Sequence, residues 1–164
     1  VSFDGPIAIR YPRGSAHQGL REYQAPVEYG RSEIIRKGKK IAVLGVGSMI
    51  PSCMEICKGL KDDGYDPTFV NARFVKPLDV DLLDELAKDH SLFVTVEENV
   101  KSGGYGEHVS AYMEACHPEI RVLSAAVWDR FVPQGNVESL RSRIGLGVED
   151  IRQAIEDSEE LREQ

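Results

Sequence analysis

Apolar residues change their spacing several times along this chain, and each change marks an element. The runs Ile41-Ala42-Val43-Leu44-Gly45 and Leu92-Phe93-Val94-Thr95-Val96 are almost continuously apolar, as strands covered on both faces are. Thr68–Ala72 and Ile120–Ala125 read as two further strands, rich in β-branched residues. Between these runs the apolar positions recur every three or four residues, the mark of one buried helix face. Met54, Cys57 and Leu60 place a helix from about Pro51 to Asp63, and Gly64 stops it. Pro77 and Asp79 open a second helix, through Leu82, Leu83 and Leu86 to His90. The turn Gly103-Gly104-Tyr105-Gly106 leads into a third that ends near Cys116, with Pro118 beyond it. Asn136–Arg143 and Val148 to about Asp157 make the last two.

Strands alternating with helices predict an α/β fold: a three-layer sandwich around a mostly parallel sheet. Ser32–Arg36 and Ile41–Gly45 flank Lys37-Gly38-Lys39-Lys40. Two β-rich runs around a glycine turn predict a hairpin, which adds one antiparallel edge strand. The first thirty residues differ, being punctuated by Pro6, Pro12, Gly14, Gly19, Pro26 and Gly30, with only Ile7–Tyr11 reading as a short strand. Residues 1–30 are therefore expected to be a connecting arm, residues 31–157 the domain, and residues 158–164 a frayed tail.

Length and charge narrow the picture. At 164 residues a single core is expected, burying roughly 70% of the unfolded chain's surface. Twenty Lys and Arg against 27 Asp and Glu leave a net charge of −7, which argues against a nucleic-acid partner. No run approaches the ~20 apolar residues of a membrane span, and no export signal is visible, so a cytoplasmic, non-membrane protein is expected. The chain opens on Val-Ser-Phe and reads as a fragment or processed piece. Three cysteines, Cys53, Cys57 and Cys116, are too few and irregular for a disulfide scaffold. Cys53 and Cys57 share a helix face and could hold a metal, but no second ligand pair follows, so buried packing is the favoured reading. His17, His90, His108 and His117 are scattered without metal-binding spacing, and His108 is expected to be an exposed or satisfied histidine rather than a base.

Three local sequences invite chemistry. Gly45-Val46-Gly47-Ser48 is half of a dinucleotide fingerprint, but Ile50 stands where the third glycine belongs and no Gly-Lys-Ser/Thr follows. A tight strand-to-helix turn with Ser48 near a cap is the better reading. Glu97-Glu98-Asn99 falls at the carboxyl end of what reads as the central strand, where open α/β sheets bind ligands. Adjacent strand residues face opposite ways, so the two carboxylates cannot form one dyad. One of them is expected to accept from the Gly103–Gly106 amides, and structural or interface use ranks above catalysis. Arg10-Tyr11-Pro12-Arg13-Gly14 sets two arginines around a proline that fixes the backbone. Such a segment can hold a guanidinium fork toward a phosphate or carboxylate, although an isolated loop arginine more often makes a weak surface ion pair.

Several of these segments together resemble a known family. Gly5-Pro6-Ile7-Ala8-Ile9-Arg10-Tyr11-Pro12-Arg13-Gly14, Asn71-Ala72-Arg73-Phe74-Val75-Lys76-Pro77-Leu78-Asp79, Val94-Thr95-Val96-Glu97-Glu98-Asn99 with Gly103–Gly106, and Asp129–Gly135 follow the last domain of 1-deoxy-D-xylulose-5-phosphate synthases in order and spacing. The resemblance covers nearly the whole chain and implies a transketolase C-terminal-like domain. In that family, thiamine diphosphate and Mg serve the joining of pyruvate to glyceraldehyde 3-phosphate with loss of carbon dioxide. The cofactor site lies between the first two domains. Gly-Asp-Gly followed by Asn, which holds the metal and diphosphate in thiamine enzymes, is absent from this sequence, so the chain alone is expected to be inactive and to bind no cofactor. The resemblance assigns Arg13 to the phosphate of the aldehyde acceptor, and implies upstream thiamine-binding domains and a homodimer as partners. A non-catalytic assembly module, and the C-terminal part of a split transketolase or of a 2-oxo-acid dehydrogenase β subunit, stay open as alternatives.

Overall fold

The structure, a computed structural model, describes residues 3–11, 17–23 and 25–158. Its strands are β1 (Glu33–Arg36), β2 (Lys40–Gly45), β3 (Thr68–Asn71), β4 (His90–Val100) and β5 (Arg121–Val127). The helices are α1 (Ile50–Asp62), α2 (Val80–Ala87), α3 (Tyr105–Cys116), α4 (Val137–Arg143) and α5 (Val148–Glu156). One sheet takes the order β1-β3-β2-β4-β5. Its pairings are parallel except β1 with β3, which is antiparallel.

The alternation of side chains along each strand divides the core into two layers. Ile41 and Val43 of β2 join Leu92, Val94 and Val96 of β4 beneath α1 and α5, with Cys53, Ile56, Leu60, Ile151 and Ile155. Ala42 and Leu44 of β2 point the other way and join Phe93, Leu83, Leu86, Val109 and Met113 beneath α2 and α3. The three-layer α/β sandwich with one antiparallel edge strand is thus the observed fold. Among the described residues no helix is long and apolar enough to cross a membrane.

Local chemistry sets the boundaries. Gly64 takes φ +92° just beyond α1, a conformation glycine adopts without penalty. Asp79 caps α2 by accepting from the Leu82 amide at 3.4 Å, and it also takes the Ser32 amide at 2.7 Å. The second helix is shorter than its apolar pattern predicts, because His90 already belongs to β4.

Three expectations need correction. No hairpin joins β1 to β2. Both edges of β2 are occupied by parallel partners, β3 and β4, so β1 pairs with β3 and the Lys37–Lys39 segment crosses the amino end of β3 instead of reversing. Gly38 donates to Thr68 Oγ1 at 2.9 Å and Lys39 to the Asp66 carbonyl at 2.6 Å along that crossing. The central strand is β2, not β4. Finally, Ile7–Tyr11 forms no strand; the segment is exposed and belongs to no sheet.

Candidate functional site

The carboxyl end of the sheet gathers the polar groups flagged by sequence. β4 and β5 keep parallel register to Val96 and Ala125, then resume at Val100 and Val127. Glu97, Glu98 and Asn99 lie in this irregularity, which turns the two carboxylates to opposite sides.

Glu97 is buried and faces α3. Its Oε1 accepts from the Gly106 amide at 2.8 Å and its Oε2 from the Tyr105 amide at 3.0 Å. Gly104, at the N-cap position of α3, has no side chain to satisfy those amides, so a carboxylate from the neighbouring strand does it, aided by the positive end of the helix. A Cβ on Gly104 would sit 2.6 Å from Glu97 Oε1, and one on Gly106 would sit 2.2 Å from Ser124 Oγ. The glycine-rich turn is therefore a close-approach device that brings α3 onto the sheet.

Glu98 faces the other way and is a hub. Arg141 of α4 forks onto it, Nε to Oε1 at 3.1 Å and Nη2 to Oε2 at 3.2 Å. Ser48 donates its hydroxyl to Oε2 at 2.7 Å, and Arg10 of the arm donates to the Glu98 carbonyl at 3.3 Å. Burial pushes the Glu98 carboxyl up, but the hydrogen bonds from Arg141 and Ser48 and the charges of Arg141 and Arg10 outweigh it, leaving it below the usual carboxylate range. It is an anion near neutral pH and an anchor rather than a proton donor.

Ser48 is therefore not a helix cap. It lies in a short 3₁₀ turn, Gly47–Met49, that makes no side-chain cap bond, and its hydroxyl is turned to Glu98. The half-fingerprint glycines are explained locally: a Cβ on Gly45 would stand 2.8 Å from Cys53 Sγ, and Gly47 takes φ +53°. Cys53 and Cys57 share the buried face of α1, where burial pushes both thiols up, Cys57 to about 12, so neither ionises at neutral pH. His108 is exposed. His117 lies away from this end, where its Nε2 and the Tyr112 hydroxyl each sit 2.8 Å from Asp84 Oδ1, fastening α3 to α2.

Arg13 lies outside the described residues, as do residues 159–164 of the expected tail. Arg10, three positions before Arg13, meets the sheet at Glu98. Sequence reasoning missed Arg141, for which the polar stretch Leu140-Arg141-Ser142-Arg143 offers no signal; only the fold brings it to Glu98. Among the described residues no group of three or more His, Cys, Asp or Glu could hold a metal ion.

Comparison with known proteins gives the geometry a context. Residues 30–151 match the model of the transketolase C-terminal domain family. The 1-deoxy-D-xylulose-5-phosphate synthase of Lachnoclostridium phytofermentans is 41% identical over 152 residues, 92% of this chain and 24% of that protein. The same enzyme of Chlorobaculum tepidum is 40% identical over 148 residues, 90% of this chain and 23% of that protein. The chain thus spans about a quarter of the length of these relatives. Among solved structures, a split-gene transketolase in an inactive β4 tetramer superposes with a TM-score of 0.76 at 29% identity, covering 82% of this chain and 44% of that one. Transketolase from Campylobacter jejuni shares the fold, with a TM-score of 0.55 at 16% identity over 79% of this chain and 19% of that one.

Proposed function

The chain belongs to the transketolase C-terminal domain family, and we propose that it is the C-terminal domain of a 1-deoxy-D-xylulose-5-phosphate synthase. That enzyme condenses pyruvate with glyceraldehyde 3-phosphate and releases carbon dioxide, supplying isoprenoid, thiamine and pyridoxal precursors. The observation that carries this reading is the roughly 40% identity to such synthases across at least 90% of the chain. Tyr11-Pro12-Arg13-Gly14 and Val132-Pro133-Gln134-Gly135 argue for this reading over a split transketolase or a dehydrogenase β subunit.

In this role the chain contributes an acceptor-phosphate contact and packing, not the cofactor site. Thiamine diphosphate, when bound with Mg in the whole enzyme, supplies the carbanion chemistry. The residues present here do not fit it: no Gly-Asp-Gly followed by Asn occurs, and the two carboxylates at the sheet end are committed to α3 amides and to Arg141. Its diphosphate and metal belong to upstream domains of the same enzyme, working in the cytoplasm as a homodimer. Arg13 is the residue assigned to the acceptor phosphate. In sequence it stands between Pro12 and Gly14, residue types that restrict the backbone and permit a sharp turn, and Arg10 fastens the same arm to Glu98. A guanidinium matches a phosphate as a planar, doubly donating fork.

Calorimetric titration of the 164-residue chain with thiamine diphosphate and Mg tests the division of labour. No saturable heat is expected, and micromolar binding would overturn it. The longer polypeptide carrying this chain should form 1-deoxy-D-xylulose 5-phosphate from the two substrates.

A further inference from the structure

We propose that Arg10 is a positioning residue: its bond to the Glu98 carbonyl fixes the arm so that Arg13 is delivered to the acceptor phosphate. The proposal rests on the reading above that Arg13 makes that contact, and adds what holds it in place. Arg10 touches no substrate in this role. It acts through Arg13.

The arm is fastened at its base. Phe3 and Tyr29, from its two ends, stack with ring centroids 4.8 Å apart, and Tyr29 meets Phe74 edge-on at 5.8 Å. Arg73 Nη1 donates to the Pro26 carbonyl at 3.3 Å, and Arg31 Nη1 donates to Asp79 Oδ1 at 3.0 Å. Arg73, Phe74 and Asp79 all belong to Asn71–Asp79, one of the segments on which the family resemblance stands. That segment thus has a local task, gripping the base of the arm.

Between the two ends, Arg10 ties the arm back to the domain, its Nη2 donating to the Glu98 carbonyl at 3.3 Å. That bond is exposed, so its worth depends on how firmly the acceptor is held. Glu98 lies where the β4–β5 register skips from Val96 to Val100. It therefore has no register partner on β5, and its carbonyl is open to the arm. Its side chain is fixed by three donors, Arg141 Nε and Nη2 at 3.1 and 3.2 Å and the Ser48 hydroxyl at 2.7 Å. Arg141 comes from α4 and Ser48 from the turn before α1, so two further elements hold the residue on which Arg10 leans. Chain geometry does the rest. Three residues span at most about 11 Å, so fixing Arg10 limits where a guanidinium three positions on can go. Preorganisation of this kind reduces the entropy lost when a long charged side chain is immobilised on a ligand, and a planar fork gains most from correct aim.

Steady-state kinetics of the full-length enzyme with two acceptors, glyceraldehyde 3-phosphate and unphosphorylated glyceraldehyde, test the proposal. Arg10→Ala should lower kcat/KM for the phosphorylated acceptor about fivefold, the worth of one ordinary hydrogen bond. The value for glyceraldehyde and the KM for pyruvate should stay within about twofold of wild type. Arg10→Lys should restore most of the loss, because an ammonium also donates to a carbonyl. In an Arg13→Ala background, Arg10→Ala should cost nothing more, since a positioning residue acts only through the one it positions. Equal losses with both acceptors would make Arg10 merely structural, and losses that multiply in the double variant would give it a contact of its own. Either result overturns the positioning, as does an Arg10→Ala enzyme that uses glyceraldehyde 3-phosphate as well as wild type. Failure of the underlying reading has a different pattern. If Arg13→Ala itself leaves use of glyceraldehyde 3-phosphate unchanged, the acceptor assignment falls and the positioning with it. If Arg13→Ala is impaired and Arg10→Ala is not, only the positioning falls.

Discussion

Glu97 and Glu98 are sequence neighbours with the same side chain and opposite tasks. Glu97 is 2% exposed and its carboxylate replaces the missing cap of α3. Each charge-assisted bond of this kind contributes about 1.5–3 kcal/mol. Glu97→Gln keeps the shape but offers one carbonyl oxygen and one amide donor to two N–H groups, so a donor is left facing a donor. The isolated chain should lose about 2–3 kcal/mol in urea unfolding, with the slope of the transition unchanged. A loss below about 0.5 kcal/mol would mean that water replaces the carboxylate and that the cap is dispensable. That one of the two carboxylates would reach the Gly103–Gly106 amides was legible, because they and the glycine turn are close in sequence; that it is Glu97 was not. The partner of Glu98 was not. Arg141 stands 43 positions away, beside an arginine at position 143 that looks identical in one dimension.

At the scale of elements, the amino end of the sheet is closed by a chain of hydrogen bonds that no motif announces. Gly38 on the β1–β2 crossing donates to Thr68 Oγ1 of β3, which lies 2.7 Å from His90 Nε2 of β4, and His90 Nδ1 lies 2.8 Å from the Leu86 carbonyl of α2. A carbonyl only accepts, so Nδ1 carries the proton and Nε2 accepts from the Thr68 hydroxyl; neutral imidazole fits this chain. Burial pushes His90 below its ordinary value, with the Leu86 carbonyl and the Asp89 charge opposing it less strongly. The unfolded chain then takes up the proton first on acidification. Stability contributed by the neutral ring is full above the unfolded value near pH 6.5 and falls as pH drops from there through the lower folded value. Urea midpoints measured between about pH 7 and 5 should decline, and His90→Gln should flatten that decline; an equal slope in the variant would remove His90 from the explanation. The same crossing shows where periodicity stops informing. Run lengths and spacing located five strands and five helices to within a few residues, because burial on one or both faces leaves a direct trace in the apolar pattern. Pairing leaves none. A glycine between two β-rich runs looks the same whether the chain reverses into a hairpin or steps past a third strand.

Over the whole molecule the two ends of the sheet differ in kind. The amino end is tied by the hydrogen bonds that run from Gly38 through Thr68 and His90 to Leu86, whereas the carboxyl end combines a carboxylate hub, an arm fastened by Arg10 and exposed apolar side chains. That end lies where open α/β sheets place their functional groups. The chain belongs to the transketolase C-terminal domain family, and the central claim for its share of the chemistry is the proposed contact of Arg13 with the acceptor phosphate. Steady-state kinetics of Arg13→Ala in the full-length synthase, with each substrate varied, test that claim most directly. Loss of a guanidinium–phosphate fork, about 1.5–3 kcal/mol, should lower kcat/KM for glyceraldehyde 3-phosphate by about ten- to a hundredfold. The KM for pyruvate, which has no phosphate, should hardly move, and Arg13→Lys should recover only part of the loss because an ammonium cannot form the planar fork. If kcat/KM and KM for glyceraldehyde 3-phosphate instead stay within about twofold of wild type, under ~0.5 kcal/mol, Arg13 makes only a surface ion pair and this chain does not hold the acceptor.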